Sequence, residues 1–137
     1  MLKRAALAAI LALLLCCNGS SSPTDPQASQ EHGRLSGTVM IGPNCPGPAT
    51  GSQGCPTPPD AYAARKILVY NAAKTTLLHT VDIDSQGLYT ILLVPATYVL
   101  DLKTSSAADR TSELPANVAI QANVSTVVNV NIDTGIR

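Results

Sequence analysis

The chain has no phenylalanine and no tryptophan, and Tyr62, Tyr70, Tyr89 and Tyr98 are its only aromatic side chains. Its core must be built from Ile, Leu, Val and Ala, and few rings remain for stacking on bases or sugars. Excess charge is missing as well. Nine basic and nine acidic residues cancel to a formal net charge of 0, and the pI is about 6.7. A neutral protein has no electrostatic attraction for nucleic acid or for acidic lipid surfaces. Histidine is scarce, with only His32 and His79. No serine has a base beside it in sequence and no third partner completes a triad, so no catalytic residue can be named. The apolar run at Ala5 to Leu15 is too short to span a bilayer as a mature helix.

That run is long enough for the apolar part of an export signal, and Lys3 and Arg4 precede it. Leu14-Leu15-Cys16-Cys17 follows, then the polar Asn18-Gly19-Ser20-Ser21-Ser22-Pro23. The pattern resembles a bacterial lipoprotein signal, in which a small residue precedes a cysteine that is lipidated and becomes the new N-terminus. The resemblance implies Cys17 as the lipid site, with Cys16 in the small position. Cys16 as the site would place the bulky Leu15 there, and an ordinary secretory signal cut a few residues later is the other reading. One acyl chain holds a protein only marginally, whereas two or more anchor it stably; the resemblance implies three. Asn18 to Gly33 is rich in Ser, Pro and Gln and too poor in apolar residues to offset its ordering entropy. It reads as a tether that spans roughly 20 Å as a coil. The expected organisation is a signal at 1–17, a tether at 18–33 and one domain at 34–137.

Export places the other two cysteines, Cys45 and Cys55, in an oxidising compartment. A zinc site wants four ligands at short spacings, and a thioredoxin-like pair wants Cys-x-x-Cys. A catalytic thiol wants a base. None of these patterns is present, and a disulfide between Cys45 and Cys55 is the expectation. In the loop-entropy view a ring this short contributes roughly 2.5–3 kcal/mol. The loop from Gly42 to Asp60 is dense in Gly and Pro, which forbid helix and central strand. It is either a recognition loop or an insertion held down against proteolysis.

From Arg34 onward the hydrophobic period is two. Leu35, Gly37, Val39 and Ile41 form one inward set, followed by Ile67 and Val69, and by Leu77, His79, Val81 and Ile83. Tyr89, Ile91 and Leu93 come next, then Tyr98, Leu100 and Leu102, Val118 and Ile120, and Thr126, Val128, Val130 and Ile132. Seven short strands with one polar face each, and no helical pattern, predict an all-β, seven-stranded antiparallel two-sheet sandwich. Residues 82 to 102 read as its clearest hairpin, turning at Asp84-Ser85-Gln86-Gly87 with Asp first and Gly in positive φ.

An Asp-x-x-Gly-x-Tyr strand, a Pro-containing corner and then Thr97-Tyr98 resemble the carboxypeptidase regulatory-like domains, also called transthyretin-like or prealbumin-like. Gly33 to Val39 fits their first strand and Val127 to Ile132 their last. Pro95-Ala96-Thr97-Tyr98 departs from the family pattern in lacking a glycine before Thr-Tyr. The resemblance implies the prealbumin-like, Ig-like sandwich and is nearly silent on function. Related adhesin domains form a Lys–Asn bond between first and last strands. Asn129 or Asn131 would supply the acceptor, but Arg34 to Ile41 holds no lysine.

Asp82-x-Asp84-x-Gln86-Gly87 mimics the start of a calcium loop, but the position of the bidentate Glu is Leu93. The expectation there is a turn, with no metal and no cofactor. Asp101, Asp109, Arg110 and Glu113 read as a solvated rim. The function expected is a non-catalytic module of the bacterial cell envelope, lipid-anchored to a membrane and binding an envelope protein or glycan. The alternatives are a structural spacer or accessory subunit, and a transthyretin-like small-molecule hydrolase, which would need clustered His and Arg.

Overall fold

A computed structural model describes residues 31–46 and 55–136. In chain order these form β1 (Gly33–Gly42), a single helical turn α1 (Pro59–Ala63), β2 (Lys66–Asn71), β3 (Leu77–Asp82), β4 (Leu88–Leu93), β5 (Ala96–Lys103), β6 (Ala116–Ile120), β7 (Ser125–Val127) and β8 (Val130–Asp133). One sheet runs β4-β1-β7, with β8 also on β1, and the other runs β3-β2-β5-β6. The two pack face to face as the period-two pattern requires. Leu35, Val39, Ile67, Val69, Leu93, Leu100, Val130 and Ile132 are fully buried between them. Tyr89 and Tyr98 supply the aromatic volume of this core.

The expected inward sets hold, apart from the start of β3, where Leu77 and His79 are exposed and only Val81 and Ile83 reach the core. A register shift at Val69/Tyr70 lies opposite that start.

The expected last strand is divided. β7 and β8 both lie parallel to β1 and keep one register, with Ser36 opposite Val127 and Val39 opposite Val130. Between them Val128 still donates its N–H to Ser36 O at 2.9 Å. The next acceptor is not a carbonyl, because Thr38 N donates to the Asn129 side chain, Oδ1, at 2.9 Å. A side-chain amide thus takes over one rung of the ladder.

The expected hairpin at 82–102 is not one. β3 and β5 belong to one sheet and β4 to the other, so the chain crosses the sandwich twice here. At the first crossing Asp84 closes the turn: Gly87 N donates to Asp84 O at 3.0 Å, and Asp84 Oδ1 accepts from Gln86 N and Leu88 N at 2.9 and 2.8 Å. Gly87 has φ +82°, and a Cβ there would meet Val39 O at 2.5 Å. At the second crossing the Tyr98 hydroxyl donates to Val94 O at 2.9 Å. The true hairpin is β2–β3, whose loop is held by the Asn71 side chain accepting from Thr75 N and Thr76 N.

Candidate functional site

Strand directions sort the connections into two groups. β4 runs antiparallel to β1, β7 and β8 run parallel to it, and Lys66 at the start of β2 lies opposite both Asp82 and Lys103. The chain enters at Gly33, beside the 72–76, 94–95 and 121–124 turns. The long connections lie at the other end: the cysteine loop and α1 after Gly42, the 83–87 turn, the 104–115 segment and the residues after Asp133. Nine rises along β1 separate the two ends by roughly 30 Å.

Three contacts make the loop end one structure. The first is the disulfide, Cys45 to Cys55, with Cα atoms 5.9 Å apart and a sequence separation of 10. Asn44 braces it, donating from Nδ2 to Ile41 O at 3.0 Å and to Thr57 Oγ1 at 2.9 Å. Thr57 Oγ1 donates in turn to Ile41 O at 3.1 Å. The expected pair is therefore joined; residues 47–54 of the same loop lie outside the described residues. The second is α1, which begins at Pro59 where the prolines were expected to bar helix. Proline is tolerated in a first turn, because its missing N–H has no helical partner there in any case. α1 places Tyr62 over Gly87.

The third contact is a buried ion pair. Arg65 and Asp109 are each 6% exposed. Arg65 Nε donates to Asp109 Oδ2 at 2.9 Å and Nη2 to Oδ1 at 2.7 Å, while Nη1 donates to Ala61 O at 2.7 Å. Ser105 N donates to Asp109 Oδ2 at 3.1 Å. Burial alone would push the Asp109 carboxyl up. The bonds from Arg65 and from the Ser105 and Ser106 backbone outweigh it and hold the carboxyl below the usual range. One guanidinium thus ties α1 to the 104–115 segment.

That segment also runs along β8. Arg110 and Asp133 exchange backbone hydrogen bonds, each 2.8 Å. Glu113 Oε2 accepts from Thr111 Oγ1 at 2.7 Å and from Asn131 N at 3.2 Å, and Oε1 accepts from Ser112 Oγ at 3.0 Å. The Thr111 hydroxyl first, and then the Asn131 backbone and side chain, lower the Glu113 pKa to about 2. Beside these residues an open cleft of about 610 Å³ is walled by Met40, Arg110, Thr111, Ser112 and Asn131.

The expected solvated rim is thus corrected at one position, Asp109, which is buried. Glu113 stays at the partly exposed surface, where it bonds to the β8 edge, and Asp101 pairs there with Lys74 at 2.7 Å. Arg65 had no sequence signal, because its partner lies 44 residues away. His79 sits exposed on β3. Asp82 pairs with Lys66, and Asp84 is taken up by its turn. Among the described residues no three His, Cys, Asp or Glu side chains gather as a metal site. Cys16 and Cys17, with the rest of 1–30, lie outside the described residues.

No family model matches the chain, and no curated protein matches it. Solved structures do. The minor pilin GBS52 of Streptococcus agalactiae matches at 15% identity and TM-score 0.53, over 76% of this chain and 45% of that one. The TIE protein of Bacillus anthracis matches at 10% and 0.49, over 75% and 16%. A DUF3823 family protein of Parabacteroides merdae matches at 16% and 0.44, over 74% and 45%. The chain spans less than half the length of each. The likeness to GBS52 is one of β-sandwich fold.

Proposed function

We propose that this chain is a non-catalytic binding or assembly module of the bacterial cell envelope, of the carboxypeptidase regulatory-like kind. It is acylated at Cys17 and tethered through 18–33, and its loop end takes a protein or glycan partner. The observation that carries this reading is the placement of the braced loops at the end of β1 opposite the chain's entry, roughly 30 Å away. A flexible tether attached at Gly33 joins the domain at the end away from these loops and leaves the loop end free to meet a partner. The two best-placed acids, Asp109 and Glu113, are saturated by donors and held ionised, which suits a rigid surface better than proton transfer. Exposed Met40, Leu88, Leu92 and Val127 on one sheet favour assembly over a bare spacer. The sandwich likeness to a minor pilin agrees with an assembly role.

Two measurements test it. Intact mass of the chain from its host's membranes, alkylated without reduction, is expected to start at lipid-modified Cys17 with no alkylated thiol. Photo-crosslinkers at Thr57 and Ser112 are expected to capture one discrete partner that the same label at Asn123 does not. An unlipidated soluble product overturns the anchor, and equal capture from both ends overturns the loop-end site.

A further inference from the structure

A sheet edge offers unpaired N–H and C=O groups to any extended chain, and proteins blunt such edges with charge, proline, bulges or a covering segment. Most edges of this sandwich are blunted. β8 is covered by Arg110 and Glu113. β3 lies opposite a register shift and carries His79 and Asp82. β6 is five residues long and follows Pro115; β7 has three residues. β4 differs. Its sequence, LYTILL, has no charge, proline or glycine. It pairs with β1 in unbroken register from Leu93 to Leu88, and its other side has no strand among the described residues.

The ladder shows which groups are free. Val39 N donates to Gly87 O at 2.7 Å. Antiparallel alternation then turns the backbone groups of Tyr89, Ile91 and Leu93 toward β1 and those of Leu88, Thr90 and Leu92 toward the open side. Leu88 is already taken, its N–H by Asp84 Oδ1 at 2.8 Å and its carbonyl by Asp84 N at 2.9 Å. Among the described residues Thr90 and Leu92 remain without an edge partner, two residues apart, each offering a donor and an acceptor.

We propose that β4 pairs with β4 of a second copy of this chain, antiparallel about a two-fold axis through Ile91. That register sets Thr90 opposite the partner copy's Leu92 and the reverse, so both free donors and both free acceptors of each copy are used in four hydrogen bonds. It sets Ile91 beside its own symmetry mate in the closely spaced, non-hydrogen-bonded position. Ile91 packs only partly into its own core, and its symmetry mate covers the rest. Leu92, 59% exposed, lies against Thr90 of the other copy on the outer face, close to Leu88 at 46%. The strand is uncharged, so self-pairing brings no like charges together. A two-fold contact of this kind is closed and self-complementary. It joins the β4-bearing sheet of each copy into one continuous sheet.

The test uses the full chain in detergent. Sedimentation is expected to show a concentration-dependent dimer, and hydrogen exchange at Thr90 and Leu92 is expected to slow as it forms. Ile91→Cys is expected to form a disulfide between copies under mild oxidation, and Ser125→Cys on β7 is not. Leu92→Pro removes only an edge-facing donor, so the β1 ladder stays intact. It is expected to keep the unfolding midpoint within a few degrees while weakening the dimer about tenfold or more, through the loss of two hydrogen bonds. A single-mass species at every concentration with fast exchange at Thr90 and Leu92 overturns the proposal. So does a dimer untouched by Leu92→Pro, or a different protein captured on β4.

Discussion

The Tyr89 hydroxyl donates to the carbonyl of Val128 at 2.6 Å, across 39 residues of chain. The bond crosses β1 at Gly37, which lies opposite Tyr89 in the ladder. A Cβ on Gly37 would stand 1.8 Å from Val128 O and 2.8 Å from the Tyr89 ring. Three strands thus converge where the last strand divides into β7 and β8. Val128 gives its carbonyl to a phenol, and Asn129 supplies the missing rung to Thr38 from its side chain.

Tyr89→Phe keeps the ring and leaves the Val128 carbonyl short of its donor. The expected cost is about 1–2 kcal/mol, read as a lower urea midpoint with unchanged slope. The pH dependence gives a second reading. Burial raises the Tyr89 pKa to about 12 from 10.0, so the folded state holds its proton where the unfolded state has lost it. Stability from this group is full below pH 10 and falls as pH rises toward 12. Tyr89→Phe is expected to flatten that fall, and an equal alkaline slope in both proteins counts against the buried bond.

Gly37→Ala tests the close approach directly. The added methyl meets backbone, which cannot rotate away, so β1 and the β7–β8 junction must separate. The expected loss is on the order of 3 kcal/mol or more, measured by denaturant unfolding. Ser36→Ala, one residue earlier on a partly exposed side chain, is expected to stay within about 0.5 kcal/mol.

The convergence at Gly37 also shows what a linear reading reaches. Inward residues of the strands are legible because the side-chain period of a strand is two, and Leu35, Val39, Ile67, Val69 and Leu100 follow it into the core. The Asp84–Gly87 turn is legible for a similar reason, since Asp and Gly act within four residues. Which sheet each strand joins is not written locally. A turn closed by Asp84 looks the same whether its strands pair or part, so a sheet-to-sheet crossing reads as a hairpin. Arg65 and Asp109 are further from reach. A charge 44 residues from its partner looks like any solvated charge until the fold joins the two.

Removing one partner of that pair costs more than removing both. Asp109→Asn keeps the shape and leaves the Arg65 cation buried against a neutral group. Its expected cost is about 3–5 kcal/mol. Replacing both, Arg65→Met with Asp109→Leu, is expected to recover most of that loss, because no uncompensated charge remains. Thermal unfolding of the two variants decides it, and a double variant as unstable as the single one shows that the tie to Ala61 and Ser105 matters more than the charge balance.

Glu113 carries the acid side of the same argument. The donors from Thr111, Asn131 and Ser112 bring its pKa down to about 2 from 4.5, so the folded state releases a proton that the unfolded state still holds between those values. The stability this carboxylate contributes is present above pH 4.5 and is lost as pH falls toward 2. Asp109, also held below the ordinary range, acts in the same direction. Glu113→Gln presents an amide where Thr111, Ser112 and Asn131 all donate, and at best one oxygen accepts. The variant is expected to be less stable at neutral pH and to lose less between pH 4.5 and 2, so that its curve approaches the parent's at the acid end. Because Glu113 Oε2 also receives the edge amide of Asn131, hydrogen exchange at Asn131 N is expected to quicken in the variant. Parallel pH curves with unchanged exchange at Asn131 would remove Glu113 from the closure of β8.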